Sequence, residues 1–114
     1  MTLSEYYEIV IFTAAMKDYA DWIIEGIDQC GIVSHRLYRQ HCVQVSSSEI
    51  MGRSERIEKD LRLLGRDIKK TIIIDNLLAN FIDTCPLNGI EIESWYGDDP
   101  NFTDIELLKL IPFL

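Results

Sequence analysis

Two short runs of mostly β-branched residues set the strongest limit on the fold: EIVIF at residues 8–12 and TIIID at residues 71–75. Each is continuous in apolar side chains and too short for a typical helix, the pattern of a strand buried on both faces. Thr13 follows the first run, and Asp75 ends the second with Asn76 behind it. A carboxylate at the end of a greasy strand is costly unless something pairs with it. The second run therefore ends either in a turn, where Asp and Asn bond their own backbone, or where a positive group belongs.

Between the runs the period changes. In MKDYADWIIEGID, Met16, Tyr19, Ala20, Ile23, Ile24 and Ile27 recur at helical spacing, with Lys17, Asp18, Asp21 and Glu25 opposite. This predicts an amphipathic helix, ended by Cys30-Gly31. HRLYRQ at residues 35–40 reads as a further strand leading into Cys42. Residues 44–58 are polar without a clean period and read as a surface loop or weak helix. KDLRLLGRD has room for one or two helical turns with Gly65 as a stop, and NGIEIES alternates like a strand. Thr103 and Glu106 form a T-x-x-E capping box ahead of LLKLI, with Pro112 ending that helix. Alternating strand and helix signals predict one α/β domain over residues 1–114 with a mainly parallel sheet. Ligands of such sheets bind beyond the carboxyl ends of the strands, where Thr13 and Asp75 fall.

The net charge of -8 argues against a general nucleic-acid binder, since affinity for a phosphate backbone needs a basic face. The charge is unevenly spread: nine of the eleven Lys and Arg residues lie within residues 36–70, where there are five acids. A basic middle in an acidic chain focuses an anionic ligand, or is simply a set of solvated charges. The opening MTLSEYYEIV lacks the layout of a signal peptide and no run of about 18 apolar residues occurs, so no membrane span is expected and the default location is cytoplasmic or nuclear. Cys30, Cys42 and Cys85 form no C-x-x-C pair, and disulfides are not expected. His35 and His41 have no Cys or acid at ligand spacing, which argues against zinc.

What chemistry the strand ends permit is open at this level. Asp75 has the character of a Mg²⁺ ligand, with Asn76 orienting it or touching the same water shell. Thr13 has a hydroxyl to offer a phosphoryl oxygen, and Lys59, ahead of a short helix, a charge to neutralise it. The plainer alternatives are an Asx turn at Asp75-Asn76, a helix N-cap at Thr13 and a surface lysine at Lys59.

Taken together, YYEIVIFTAAMKDYAD, HRLYRQHCV, KDLRLLGRDIKKTIIIDN and NGIEIESWYGDD with ELLKLIPFL narrow the choice. In order and over nearly the whole chain they resemble the FCP-homology branch of the haloacid dehalogenase superfamily, the NLI-interacting-factor-like, C-terminal-domain and Dullard-like phosphatases. The resemblance implies a three-layer Rossmannoid α/β fold with a mainly parallel sheet. It implies Mg²⁺-dependent hydrolysis of phosphoserine or phosphothreonine in phosphoproteins, such as the RNA polymerase II tail, through an aspartyl-phosphate. It places Thr13 on the phosphate-binding hydroxyl, Lys59 on the lysine that steadies nucleophile and phosphate, and Asp75 with Asn76 on the metal-site motif. Met16, Tyr19 and Arg39 fall on positions lining the peptide entrance.

One part of the pattern is missing. The family's nucleophile and general acid are the acids of a D-x-D-x-T motif after the first, central strand, and no such motif occurs here. The expectation is a domain without its first strand, lacking turnover on its own and binding Mg²⁺ weakly or not at all. The strands at residues 8–12 and 71–75 are then expected to pair directly, to dimerise or exchange strands through the gap, or to belong to a longer protein. The alternative is a non-catalytic protein-binding module, a pseudophosphatase or a relative of the mitochondrial import receptor that carries this domain.

Overall fold

A computed structural model of the chain describes residues 3–49, 52–97 and 105–114, with side-chain surroundings left aside for residues 46–55. The chain forms two compact units, Met1–Lys59 and Asp60–Leu114.

In the first unit, strand β1 (Ile9–Phe12) runs parallel to β2 (Val33–Leu37), joined by helix α1 (Lys17–Ile27). Ala20 and Ile24 of the helix pack with Tyr38 into a small core that Ile11 and Ala15 flank. Only this edge of the predicted apolar stripe is covered. Met16, Tyr19, Ile23 and Ile27 are exposed, because a two-stranded sheet is too narrow to cover a stripe so wide. For the same reason β1 is half-buried along its length, where the sequence predicts burial on both faces. Among the described residues, β1 is paired along one edge, by β2.

A polar network closes this core. Asp21 accepts from Lys17 Nζ at 2.6 Å, from the Tyr38 hydroxyl and from Arg36 Nη1 at 3.0 Å. These bonds, the one from Lys17 first, hold the Asp21 carboxyl well below the usual carboxylate range. The bond to Asp21 in turn raises the Tyr38 hydroxyl above its ordinary value.

Residues 44–58, expected as loop or weak helix, instead form an antiparallel ribbon of β3 (Val43–Glu49) and β4 (Gly52–Glu58), in register from Val43 opposite Glu58 to Glu49 opposite Gly52. Its seven paired positions are mostly polar on both faces, so no apolar alternation marked it as strand. The predicted strand at residues 35–40 is shifted: β2 ends at Leu37 and Arg39–His41 is a 3₁₀ turn.

In the second unit, β5 (Ile73–Asp75) runs parallel to β6 (Gly89–Glu91). KDLRLLGRD, expected as one or two helical turns, holds one 3₁₀ turn, Leu61–Leu63, capped by Asp60, and a second, Ile68–Lys70, capped by Asp67, follows it. Leu61, Ile73, Phe81 and Cys85 make the core, with Leu64 and Ile68 against it. Asn88 Nδ2 donates to the carbonyls of Ile68 at 2.6 Å and Thr71 at 2.9 Å, tying the approach to β5 to the start of β6. Helix α2 (Glu106–Leu110) passes into a 3₁₀ turn, Ile111–Phe113, containing Pro112. The expected capping residue Thr103 lies outside the described residues. Both parallel pairs fit the expected mixed α/β class. None of the helices among the described residues is long and apolar enough to cross a membrane.

Phe81, 1% exposed, lies against Gly89, where a Cβ would sit 1.9 Å from ring atom Cε2. A Gly89→Ala variant is expected to lose about 1–3 kcal/mol of stability by overpacking. Gly26, inside α1 with nothing within 4 Å of its would-be Cβ, is expected to gain ~0.5–1 kcal/mol as alanine. Urea titration of both variants measures the two opposite signs.

The Asp21 network sets a pH dependence. With the folded carboxyl depressed, its contribution is fully present above the ordinary carboxylate pKa of about 4 and is lost progressively as pH falls below it. Thermal melts below neutral pH are expected to show this acid loss in the native chain. Asp21→Asn should be less stable near neutrality, with a flatter acid limb.

Candidate active site

The end of β1 is built into a tight loop. Thr13 N donates to Leu37 O at 2.9 Å, extending the ladder by one residue, and Thr13 Oγ1 accepts from Ala15 N at 3.0 Å. The hydroxyl thus closes a local turn and does not cap α1, whose N-cap position is Met16. Arg39 fastens the same loop from outside: its backbone N–H donates to Ala15 O at 3.1 Å and its Nε to Ala14 O at 2.7 Å. The Arg39 side chain is exposed. Met16, the N-cap, and Tyr19, in the first turn of α1, are each 61% exposed.

Lys59 follows β4 and is not a surface lysine: it is 7% exposed, and its Nζ lies 5.8 Å from the centroid of the Phe12 ring. The face of an aromatic ring is a favourable neighbour for an ammonium. The residue over which it sits is the one before Thr13, so hydroxyl and ammonium belong to the same end of β1. The acids on either side of Lys59 in the chain are each claimed by an arginine. Glu58 Oε1 accepts from Arg56 Nη2 at 2.6 Å, and Asp60 Oδ2 from Arg62 Nη2 at 2.8 Å. The Arg62 bond holds the Asp60 carboxyl below its usual range.

In the second unit Asp75 closes β5 and is 6% exposed. Its Oδ1 accepts from Leu77 N at 3.1 Å, the Asx turn that the sequence left open. Its Oδ2 accepts from Asn80 Nδ2 at 3.0 Å, from the 3₁₀ turn Leu78–Asn80. Asn76 is exposed, and its Nδ2 donates to Ser94 Oγ at 2.8 Å, which turns the amide oxygen away from Ser94. Asn76 also borders a hollow of about 370 Å³, shared with Ile92, Trp95 and Leu108.

Asn80 and Ser94 escaped the sequence reading. The only signal for Asn80 was a polar side chain inside the apolar LLANF, and for Ser94 its place at the end of the alternating NGIEIES.

The donors at Asp75 and Asn76 suit a hard divalent cation in kind. A carboxylate and an amide both offer oxygen atoms, the ligand type that hard cations prefer. Mg²⁺ takes one or two carboxylates and completes its shell with water and phosphate oxygens. In number they are few: no group of three His, Cys, Asp or Glu able to hold a metal occurs among the described residues.

Residues 1–114 match the family description of NLI interacting factor-like phosphatases. The chain is 41% identical over 115 residues to "CTD small phosphatase-like protein 2" of Dictyostelium discoideum, covering 98% of this chain and 18% of that protein. It is 39% identical over 110 residues to "Carboxy-terminal domain RNA polymerase II polypeptide A small phosphatase 2" of Homo sapiens, covering 96% of this chain and 36% of that one. With "CTD small phosphatase-like protein 3" of Caenorhabditis elegans the identity is 42% over 113 residues, covering 98% of this chain and 35% of the relative. The chain therefore spans between about a fifth and about a third of the length of these relatives. On the strength of the full-length family match, this chain belongs to the NLI interacting factor-like phosphatase family.

Proposed function

We propose that these 114 residues are part of a haloacid dehalogenase-like, Rossmannoid phosphatase domain that hydrolyses phosphoserine or phosphothreonine in phosphoproteins. A tail of the RNA polymerase II kind is the substrate class that the relatives' names point to. The observation that carries the reading is the pair of buried charges at strand ends, Lys59 beside β1 and Asp75 on β5. In this reading Thr13 donates its hydroxyl to a phosphoryl oxygen, and Lys59 neutralises charge that grows on the phosphoryl group. Met16, Tyr19 and Arg39 flank the peptide at the entrance. Asp75 and Asn76 would hold Mg²⁺, which when bound supplies charge neutralisation at the phosphate. The attacking carboxylate and the general acid are supplied from outside this sequence, which contains no D-x-D-x-T.

Hydrolysis of a generic aryl phosphate, with and without Mg²⁺, tests the reading. The 114-residue chain is expected to show no Mg²⁺-dependent turnover. A polypeptide in which an apolar strand and D-x-D-x-T precede residue 1 is expected to show it, with a loss of about 10²–10³ in rate on Lys59→Met or Asp75→Ala. Family-like turnover from the chain alone, abolished by Asp75→Ala, would show that the nucleophile lies within it.

The absence of D-x-D-x-T also favours a second reading, a phosphopeptide-binding module without turnover, in the manner of a pseudophosphatase. That reading is upheld if the extended polypeptide binds a phosphoserine peptide through Lys59 but never hydrolyses it.

A further inference from the structure

Arg39 clamps the loop after β1, and the 3₁₀ turn that carries it, Arg39–His41, is itself held by an imidazole. His41 Nδ1 accepts from Tyr38 N at 2.9 Å, and His41 N donates to Tyr38 O at 2.8 Å, so the two residues are tied twice. His41 thereby plays the part that Glu or Gln plays in a capping box. The difference is chemical. A glutamine oxygen accepts at any pH, whereas a ring nitrogen accepts only while it carries no proton. Tyr38 is 7% exposed, so a backbone N–H that loses its acceptor there has little water to replace it. His41 itself is exposed, within reach of protons from solvent.

We infer that His41 is a positioning residue with an acid release: as a neutral acceptor it sets the turn so that Arg39 holds the loop carrying Thr13, and its protonation slackens that hold. The connection is short. Arg39 N, next in the chain after Tyr38, donates to Ala15 O at 3.1 Å, and Ala15 N donates to Thr13 Oγ1 at 3.0 Å. That this loop serves a phosphoryl group rests on the phosphatase reading; the hold of the turn on the loop does not. Histidines change charge over about pH 5–8, and the charged groups around Tyr38 do not titrate in that range. Asp21, bonded to the Tyr38 hydroxyl, is held well below it, Lys17 first among the causes. Lys17, 5.6 Å from the Tyr38 ring centroid, Arg36 and the Tyr38 hydroxyl are all raised by Asp21. The Arg39 guanidinium keeps its charge throughout. Two other titratable groups are close: Cys42, whose thiol donates to Tyr38 O at 3.7 Å, and His35 on β2, 3.9 Å from Glu8. His41→Gln retains both, and so separates them from His41.

The test is solvent exchange of the amides of Ala15, Tyr38 and Arg39 in the 114-residue chain. It is read by NMR at about pH 5 and about pH 8 as protection relative to an unstructured chain at the same pH. In the native chain protection at these amides should fall about tenfold at the lower pH, as a buried N–H loses its partner. His41→Gln should keep the higher protection at both pH values, and His41→Leu the lower protection at both. Equal native protection at both pH values overturns the inference. So does a fall that persists in His41→Gln, which assigns the effect to Cys42 or His35. If His41→Leu does not fold, the native and His41→Gln chains decide the matter between them. None of these outcomes bears on the phosphatase reading, which stands or falls on hydrolysis by the extended polypeptide.

Discussion

Asp75 is nearly out of water at the end of a strand of isoleucines, and an ionised carboxylate there must be met by donors. Leu77 N and Asn80 Nδ2, both neutral and both local, are among those donors. Around this grip the second unit is organised. The turn that delivers Asn80 also delivers Phe81 to the core, and Phe81 lies on Gly89 at the start of β6. Packing on one side of the turn and hydrogen bonding on the other thus rest on the same few residues.

The first unit treats its strand end differently. There the loop after β1 is closed by the Thr13 hydroxyl and clamped by Arg39, while Lys59 lies against Phe12. Two arginines absorb the acids that adjoin Lys59 in the chain. The end of β1 thus gathers a buried ammonium and a loop hydroxyl, with an exposed arginine clamping the loop, in a chain whose total charge is strongly negative.

Much of this was legible in the sequence. The β-branched runs gave β1 and β5, and the helical spacing gave α1, because burial and periodicity follow directly from side-chain type. What was not legible has physical causes. The ribbon of β3 and β4 carries Ser, Arg and Glu where strands usually carry apolar residues, so its pairing leaves no period to read. How much of the helix stripe is covered was not legible, because sequence states which residues are apolar, not how wide their partner surface is. Asp75 was read as either turn or ligand, and the structure shows the turn. Asn80 resembled an ordinary turn residue, since only folding through the 3₁₀ turn brings its amide to Asp75.

The proposed function assigns the end of β1 to a phosphoryl group and the end of β5 to Mg²⁺. An amide NMR titration of this chain with inorganic phosphate in the presence of Mg²⁺ reads that claim at each end separately. The predicted result is movement of the signals of Thr13, Ala15 and Lys59 in one unit and of Asp75 and Asn76 in the other, with the rest of the chain still. Movement confined to exposed lysines and arginines, with those five signals unmoved, would contradict it.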